Sequence, residues 1–422
     1  MNLWSSFNPT STEEWKEKIK KDLKIDHTEN LCFNTSYGSI NPLSEIDDIL
    51  ITDKKNPFQE ITWRFDFSNT SNVNIINQLK NGINSIHLVN VCLDNKLFND
   101  VMNDIIHNHI TVDSSMEHQS LCNWTNWINE RKDLNGSFRF DPIEEIFKKS
   151  LIKIDKINPD LFLFTDINLT NNSFKKILVN GDIYTNLFFD KDLEIAFMAA
   201  HLNETIEFYK ELNLELPGEV IVRLGLSSSL LENLAKIRAL RAIINQVIKT
   251  QNVNASIKLE CSYDSTLISP TEKEHNLLRY TTACMAAIIG GAERFELNDN
   301  MCIKDGDYWK KIIVNIPIIL LEESQLNSKS DLVEGAHYIE QLSLKMANSS
   351  WKHFKSIEEK GGLMEYAKAG LLNSQVESQQ EKKLLQLKDS ENIIGFNSFT
   401  NSESIVDYNK TTNVPFNLND LI

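Results

Sequence analysis

Arg223 is the charged residue that could most readily bind a ligand, because it lies within an apolar, strand-like run that should end at the active face of the barrel. A guanidinium at that place could bind a phosphate or a carboxylate of a ligand. A structural ion pair with Glu260 or Asp264 is the alternative that we favour. Glu322 and Glu323 also suggest acid–base chemistry, but adjacent helical residues point about 100° apart and cannot act as a pair.

Candidates for a metal site or a phosphate contact have simpler explanations. His107 and His109 could bind a metal, but no third ligand lies near them in the sequence, and a surface pair is the simpler interpretation. The serines of residues 227–229 could contact a phosphate, although capping of the next helix explains them as well. The six cysteines contain no C-x-x-C pair, and their wide spacing favours reduced thiols over a disulfide framework or a zinc site. We therefore predict no bound metal.

Strand-like segments, some apolar throughout and some alternating apolar with polar residues, alternate with helical patterns from residue 61 onward. The runs that predict strands are residues 61–67, 86–92, 161–165, 176–181, 220–226, 257–261 and 293–297. The patterns that predict helices are residues 193–212, 229–248, 276–289 and 308–321. Such alternation implies parallel strands joined by crossover helices. Seven or eight units without a glycine-rich phosphate loop favour a closed (β/α)8 TIM barrel, an α/β fold, over an open doubly wound sheet.

Composition divides the chain into three parts around that barrel. Residues 1–60 predict an N-terminal arm, residues 61–373 the TIM barrel, and residues 374–422 a short C-terminal helix and coil tail. In the arm, Ser11 and Glu14 form a capping-box sequence that starts a helix. The arm has no core of its own, so its aromatic residues should contact either the barrel or a partner chain. These candidate contact residues are Trp4, Phe7 and Trp15.

Residues 279–298 (RYTTACMAAIIGGAERFELN) predict how the barrel mouth is built. Small residues make the helix of this segment thin, so that a neighbouring backbone can pack closely against it. Gly290 and Gly291 then supply a left-handed stop. The strand that follows ends at Asn298, whose side chain it should deliver to the mouth of the barrel.

The overall charge excludes several classes of partner. The formal net charge is −16 at pH 7, whereas binding to nucleic acid or an anionic membrane needs clustered Lys and Arg. The N-terminus lacks a basic segment followed by an apolar run. No run of eighteen apolar residues occurs either. We therefore expect a cytoplasmic protein with no nucleic-acid or membrane partner.

Several segments, in the right order along the chain, resemble the substrate barrel of methylmalonyl-CoA mutases. They are residues 193–197 (LEIAF), 223–226 (RLGL), 234–241 (LAKIRALR), 279–283 (RYTTA), 286–292 (AAIIGGA), 318–324 (IILLEES), 335–342 (GAHYIEQL), 359–363 (EKGGL) and 394–397 (IGFN). Four further segments resemble the small, or β, subunit of that family more specifically. They are residues 7–9 (FNP), 11–15 (STEEW), 63–67 (WRFDF) and 138–142 (FRFDP).

The resemblance implies an assembly that interconverts succinyl-CoA and methylmalonyl-CoA with adenosylcobalamin. Catalytic chains of the family hold cobalamin through an Asp-x-His-x-x-Gly motif in a separate domain, and this sequence has no such motif. Catalytic chains also carry a barrel histidine that donates to the thioester carbonyl, but residues 180–186 (NGDIYTN) contain no histidine. The family's Tyr-Ala-Gly-Phe and Pro-Ser-Met-Arg motifs are absent as well.

On this resemblance we expect a non-catalytic small subunit of methylmalonyl-CoA mutase, in a heterodimer with a large subunit that binds adenosylcobalamin. No catalytic residue is assigned to the chain. A remnant of the family's acyl-CoA tunnel would be lined by Arg223, Glu260, Ser262 and Asn298. Two alternatives stay open: an acyl-CoA-binding barrel subunit that works with a separate cobalamin protein, and an unrelated metal-dependent barrel hydrolase or lyase.

Overall fold

The computed structural model describes residues 10–42, 58–91, 99–105, 109–115, 128–130, 134–150, 174, 176–264, 273–302, 306–327, 331–389 and 394. Trp4, Phe7, His107 and the strand predicted at 161–165 lie outside the described residues. Among the described helices, none is long and apolar enough to cross a membrane.

Eight parallel strands form the centre of the molecule. In chain order they are β1 (Glu60–Asp66), β2 (Ser85–Val89), β3 (Thr111–Ser114), β4 (Asn135–Phe138), β5 (Ile177–Asn180), β6 (Glu219–Leu226), β7 (Ser256–Tyr263) and β8 (Arg294–Asn298). Their spatial order is β4-β3-β2-β1-β8-β7-β6-β5. Within the described residues no ladder joins β4 to β5, but the backbone N–H of Asn180 donates to Oδ2 of Asp141, just beyond β4, at 2.9 Å. This order confirms the predicted (β/α)8 TIM barrel.

The sequence carries no strand signal for β3 and β4. Each has four residues, TVDS and NGSF, and polar residues interrupt any apolar run. The polar side chains of Asp113 and Ser137 are nevertheless buried. Partners from distant strands stabilise them inside the barrel, and a local sequence pattern cannot reveal such partners.

Helices cover the outside of the sheet and connect its strands. They are α1 (Thr12–Leu23), α2 (Asn72–Asn81), α3 (Pro142–Ser150), α4 (Asp182–Leu187), α5 (Lys191–Glu211), α6 (Leu230–Thr250), α7 (Lys273–Gly290), α8 (Asp307–Ile318), α9 (His337–Glu358), α10 (Gly362–Lys368) and α11 (Leu371–Asp389). The four helices predicted from apolar periodicity correspond to α5, α6, α7 and α8, the last of which continues into a π-helical turn after Pro317.

The close approach of α7 to α6 explains the small residues of α7. A Cβ atom at Gly290 would lie 2.9 Å from Cδ1 of Ile237 on α6, which is closer than real Cβ atoms come. Gly291 has a φ of +90° and ends the helix, so it is the left-handed stop that the sequence predicts.

A hairpin of the arm packs on the chain's own helix α9. Its two strands are Phe33–Thr35 and Gly38–Ile40. Phe33 contacts Tyr338 of α9 edge-on, with ring centroids 5.4 Å apart, and Ile40 is buried. This part of the arm therefore lies on its own barrel.

Helix α1, which precedes the hairpin, lies near the surface along its whole length. Its capping box forms as predicted: the Glu14 N–H donates to Ser11 Oγ at 3.2 Å, and the Ser11 N–H donates to Glu14 Oε2 at 3.0 Å. No residue of α1 is buried, and Trp15 is half-buried.

Candidate functional site

Charged side chains fill the inside of the barrel. In most TIM barrels the inward layers consist mainly of Val, Ile and Leu. Here Arg294 of β8 reaches Asp113 of β3, and Glu296 of β8 reaches His87 of β2. Side chains from strands that are not neighbours can meet in this way only inside the barrel. The alternating residues of β8, Phe295 and Leu297, face the helices and are also buried, so the strand is covered on both sides.

The carboxylate of Glu260, on β7, is the centre of this network. Its Oε1 accepts from Arg139 Nη1 at 2.6 Å and from Arg223 Nη1 at 2.9 Å, and its Oε2 accepts from Arg294 Nη1 at 3.0 Å. Burial alone would raise the pKa of Glu260, but the three guanidinium groups outweigh burial and hold its pKa at about 2. Three cations therefore share one buried anion.

Asp113, on β3, supplies a second buried anion to the same arginines. It accepts from Arg139 Nη2 at 2.9 Å and from Arg294, while the Ser137 hydroxyl donates to its Oδ1 at 2.5 Å. Burial opposes ionisation, yet Arg294 and Arg139 lower the pKa of Asp113 far below its ordinary value. Asp113 is thus an ionised carboxylate with a full set of donors.

Arg223, the anchor singled out in the sequence, is held by three carboxylates. Besides Glu260, its Nη1 lies 2.8 Å from Glu296 Oε2, and its Nε donates to Asp182 Oδ2 at 2.5 Å. Of the two ion-pair partners considered for it, Glu260 is the one that binds. Asp264 instead acts on Lys191 of α5. Burial would lower the pKa of Lys191, but the charges of Glu194 and, less strongly, Asp264 raise it.

The structure brings together three of the four residues predicted to line a tunnel. Arg223 and Glu260 pair directly, and the Ser262 hydroxyl donates to the other oxygen of Asp182 at 3.3 Å. Asn298 ends β8 as expected, but its side chain accepts from the Asn300 N–H at 3.0 Å and so caps the turn Asp299–Met301. Whether these residues contact an acyl-CoA stays a prediction.

Most charged residues of the interior escaped prediction: His87, Asp113, Arg139, Arg294 and Glu296. A signal did exist in the sequence, because the β8 segment RFELN alternates charged with apolar residues although it is buried on both faces. The segments WRFDF and FRFDP likewise deliver Arg64 and Arg139. Alternation of charge in a buried strand indicates partners across the barrel but does not identify them.

Residues 180–186 form the end of β5 and the short helix α4. Ile183 and Thr185 are both buried in α4. The hydroxyl of Tyr184 lies 3.0 Å from His201 Nδ1, and the other ring nitrogen of His201 lies 2.9 Å from Asp141 Oδ1. Asp182 is the residue of this segment that reaches the network, through Arg223.

The two histidines that are buried in the described part of the chain, His87 and His201, do not fit cobalt ligation. Each has both ring nitrogens in hydrogen bonds: His87 with Glu296 and Ser115, and His201 with Tyr184 and Asp141. A cobalt ligand needs one ring nitrogen free to bind the metal. Across the parts of the chain that the structure describes, no group of three or more His, Cys, Asp or Glu side chains could hold a metal ion.

The order of the eight parallel strands and the mouth at their carboxyl ends define an α/β protein of the TIM-barrel class. The sequence profile of one family with such a barrel, methylmalonyl-CoA mutase, matches residues 98–416, more than half of the chain. The chain therefore belongs to the methylmalonyl-CoA mutase family.

Individual relatives carry names from the same family. The chain is 24% identical to a protein named methylmalonyl-CoA mutase small subunit from Porphyromonas gingivalis, over 94% of the chain and 71% of the relative. It is 28% identical to a small subunit from Streptomyces virginiae over 37% of the chain and 26% of the relative. It is 25% identical to methylmalonyl-CoA mutase from Escherichia coli over 42% of the chain and 26% of the relative. The latter two matches thus span about a quarter of each relative.

Proposed function

We propose that the chain is a non-catalytic small subunit of methylmalonyl-CoA mutase, which acts in a heterodimer with a large subunit. The large subunit would bind adenosylcobalamin and interconvert succinyl-CoA and methylmalonyl-CoA. The complex would work in the cytoplasm. The observation that carries this proposal is the ion pairing inside the barrel. Glu260 alone engages three arginines, so these cations already have an anion and need no substrate carboxylate.

The segment expected to hold a thioester supports the same conclusion. Substrate activation would need a hydrogen-bond donor aimed at the carbonyl oxygen. In residues 180–186 the side chains of Tyr184 and Thr185 are buried and bonded to His201 and Glu194. Asp182, which faces the network, can only accept when ionised and is bound to Arg223. The Asn180 amide likewise donates to Glu144 Oε1 at 2.9 Å, so the side-chain donors of Asn180, Tyr184 and Thr185 are engaged within the protein.

The exposed arm helix supports a partner chain. Trp15 lies on α1, which buries none of its residues against the barrel, although tryptophan is enriched at protein interfaces. We propose that Trp15, together with Trp4 and Phe7, contacts the large subunit. The names of the Porphyromonas and Streptomyces relatives, both small subunits, agree with such an assembly.

Reconstitution tests the proposal directly. The purified chain with adenosylcobalamin and succinyl-CoA should form no methylmalonyl-CoA, whereas the chain mixed with the large subunit should form an active one-to-one complex. Trp15→Ala should weaken that complex about tenfold, the effect of losing one anchoring aromatic residue. Tyr308→Ala removes an aromatic residue that is 70% exposed on α8 and serves as the control. Mutase activity of the chain alone, or no affinity for the large subunit, would refute the proposal.

A separate question is whether the four residues predicted to line a tunnel bind an acyl-CoA. Arg223, Glu260, Ser262 and Asn298 stay the proposed lining residues, and calorimetry with succinyl-CoA measures whether they bind it. Binding that Asn298→Ala weakens would favour the alternative of an acyl-CoA-binding barrel that works with a separate cobalamin protein.

A further inference from the structure

A serine, a histidine and a glutamate form a chain of hydrogen bonds at the mouth of the barrel. The Ser115 Oγ lies 2.7 Å from His87 Nε2, and His87 Nδ1 lies 2.7 Å from Glu296 Oε2. Ser115 follows the last residue of β3, so it stands at the carboxyl end of a barrel strand. Active sites of TIM barrels are built at that end.

The partners of His87 fix where its proton lies. A carboxylate can only accept a hydrogen bond, so the nitrogen facing Glu296, Nδ1, must carry the proton. Burial would raise the pKa of Glu296, but Arg223 and His87 outweigh burial and keep that carboxylate ionised. The lone pair of His87 Nε2 then accepts a hydrogen bond from the Ser115 hydroxyl. This is the tautomer that a general base for a serine nucleophile needs.

His87 is uncharged in the free protein near pH 7. Burial, and then the nearby Arg139, lower the pKa of His87 to about 4 against the opposing pull of Glu296. The imidazole is therefore neutral near pH 7 and able to take a proton. Both His87 and Glu296 are buried, whereas Ser115 is only half-buried and lies nearest to solvent. The order from solvent inward is thus nucleophile, base and orienting carboxylate.

A cation lies beside this chain of residues. Arg64 of β1 pairs in register with His87 of β2, and its side chain is 44% exposed. Its Nη1 lies 4.0 Å from Glu296 Oε1, too far for a hydrogen bond. The guanidinium of Arg64 can therefore turn toward negative charge that develops near Ser115, whereas terminal nitrogens of Arg139 and Arg294 are already bound to Asp113 and Glu260.

We propose that Ser115, His87 and Glu296 form a nucleophilic triad that hydrolyses small acyl esters or thioesters. His87 Nε2 takes the hydroxyl proton as Ser115 Oγ attacks the acyl carbon, and Glu296 stabilises the resulting imidazolium. The carbon–oxygen or carbon–sulfur bond breaks, and the leaving alcohol or thiol takes the proton from His87. Water then attacks the acyl-serine, again with His87 as base, and releases the carboxylic acid. This activity goes beyond the proposed subunit role and uses neither cobalamin nor a partner.

A fluorophosphonate probe tests the triad on the purified full-length chain. Such probes react with an activated serine hydroxyl, so a single adduct should form, and peptide mass spectrometry should locate it at Ser115. Ser115→Ala should abolish the adduct. Ser114→Ala changes the neighbouring serine, whose side chain faces away because successive strand residues alternate, and should leave labelling unchanged. Labelling elsewhere, or none on folded protein, would overturn the proposal.

Two further variants separate the roles of the base and the cation. His87→Gln should slow labelling by about 100-fold or more, the contribution of a positioned general base. Because this substitution is buried and could impair folding, Arg64→Met provides a second measurement at an exposed site. It should slow hydrolysis of p-nitrophenyl propionate while leaving the far-UV circular dichroism unchanged. Equal hydrolysis rates in the wild type and in Arg64→Met would show that Arg64 does not act in the site. Equal labelling rates in the wild type and in folded His87→Gln would refute the triad.

Discussion

The barrel interior and the junction between α5, α9 and α10 both bury carboxylates, but with opposite results. Inside the barrel, Glu260 is held at a pKa of about 2 by Arg139, Arg294 and Arg223, which overcome the cost of burial. At the junction, burial and the neighbouring Glu204 raise the pKa of Glu358 to about 7. Burial opposes ionisation in both places, so the sign of the shift depends on whether cations lie within reach.

The hydrogen bonds of the two regions differ in the same way. Glu358 Oε2 accepts from Asn203 at 2.9 Å, while its Oε1 accepts no hydrogen bond within the described residues. Glu204 caps α10 by accepting from the Leu363 N–H at 3.0 Å, and burial raises its pKa too. The interior carboxylates thus pair with arginines in an ionic network, whereas the junction carboxylates depend on neutral donors. Breaking the ionic network inside the barrel therefore costs free energy of unfolding, whereas at the junction it is ionisation of the carboxylates that costs free energy.

Removing one interior cation should have the largest effect. Arg139→Met removes one of the arginines that pair with Asp113 and one of the three that pair with Glu260, and breaking such buried ion pairs costs about 3–5 kcal/mol of unfolding free energy. Arg64→Met is the matched control, because Arg64 is also on the barrel but is 44% exposed, and it should cost less than about 1 kcal/mol. Urea denaturation at pH 7 measures both. Similar losses for the two variants would remove the distinction between paired interior and exposed charges.

Acidification should weaken the interior next. The pKa of His87 is about 4 in the folded protein, mainly because of burial, and its ordinary value is 6.5. The unfolded chain therefore takes up this proton first, so stability is complete above about pH 6.5 and falls as the pH drops toward 4. The shift corresponds to about 3 kcal/mol. Urea denaturation between pH 7 and 4.5 should show a shallower loss for His87→Asn than for the wild type; parallel curves would contradict the assignment.

The junction should respond in the opposite direction and less strongly. Because the folded pKa of Glu358 lies above its ordinary 4.5, its contribution to stability is present below pH 4.5 and is lost as the pH rises through 7. Glu358→Gln should therefore stabilise the protein at pH 8, by about 1 kcal/mol once solvent screening of this half-buried group is considered, and hardly at all at pH 5. Glu365→Gln, on the exposed surface of α10, is the control. Thermal unfolding at both pH values measures the difference, and an equal effect at pH 5 and pH 8 would exclude this explanation.

Much of the barrel could be predicted because its signals are local. Residues 220–226 are mostly apolar and residues 257–261 alternate apolar with charged positions; these segments lie within β6 and β7. The capping box of α1 and the left-handed Gly291 depend on residues within one turn of each other. β3 and β4 were missed because their stability comes from contacts such as the one between Arg139 and Glu260, which lie 121 residues apart.

The sequence by itself determined the alternation of strands and helices, the helix ends and the absence of a family histidine from residues 180–186, since each depends on neighbouring residues. Only the tertiary structure decided that Arg223 binds Glu260 rather than Asp264, and that Ser115, His87 and Glu296 meet. The physical reason is that closing the barrel turns alternate residues of distant strands toward one axis. The identities of these residues are known from the sequence, but the barrel sets the distances between their side chains.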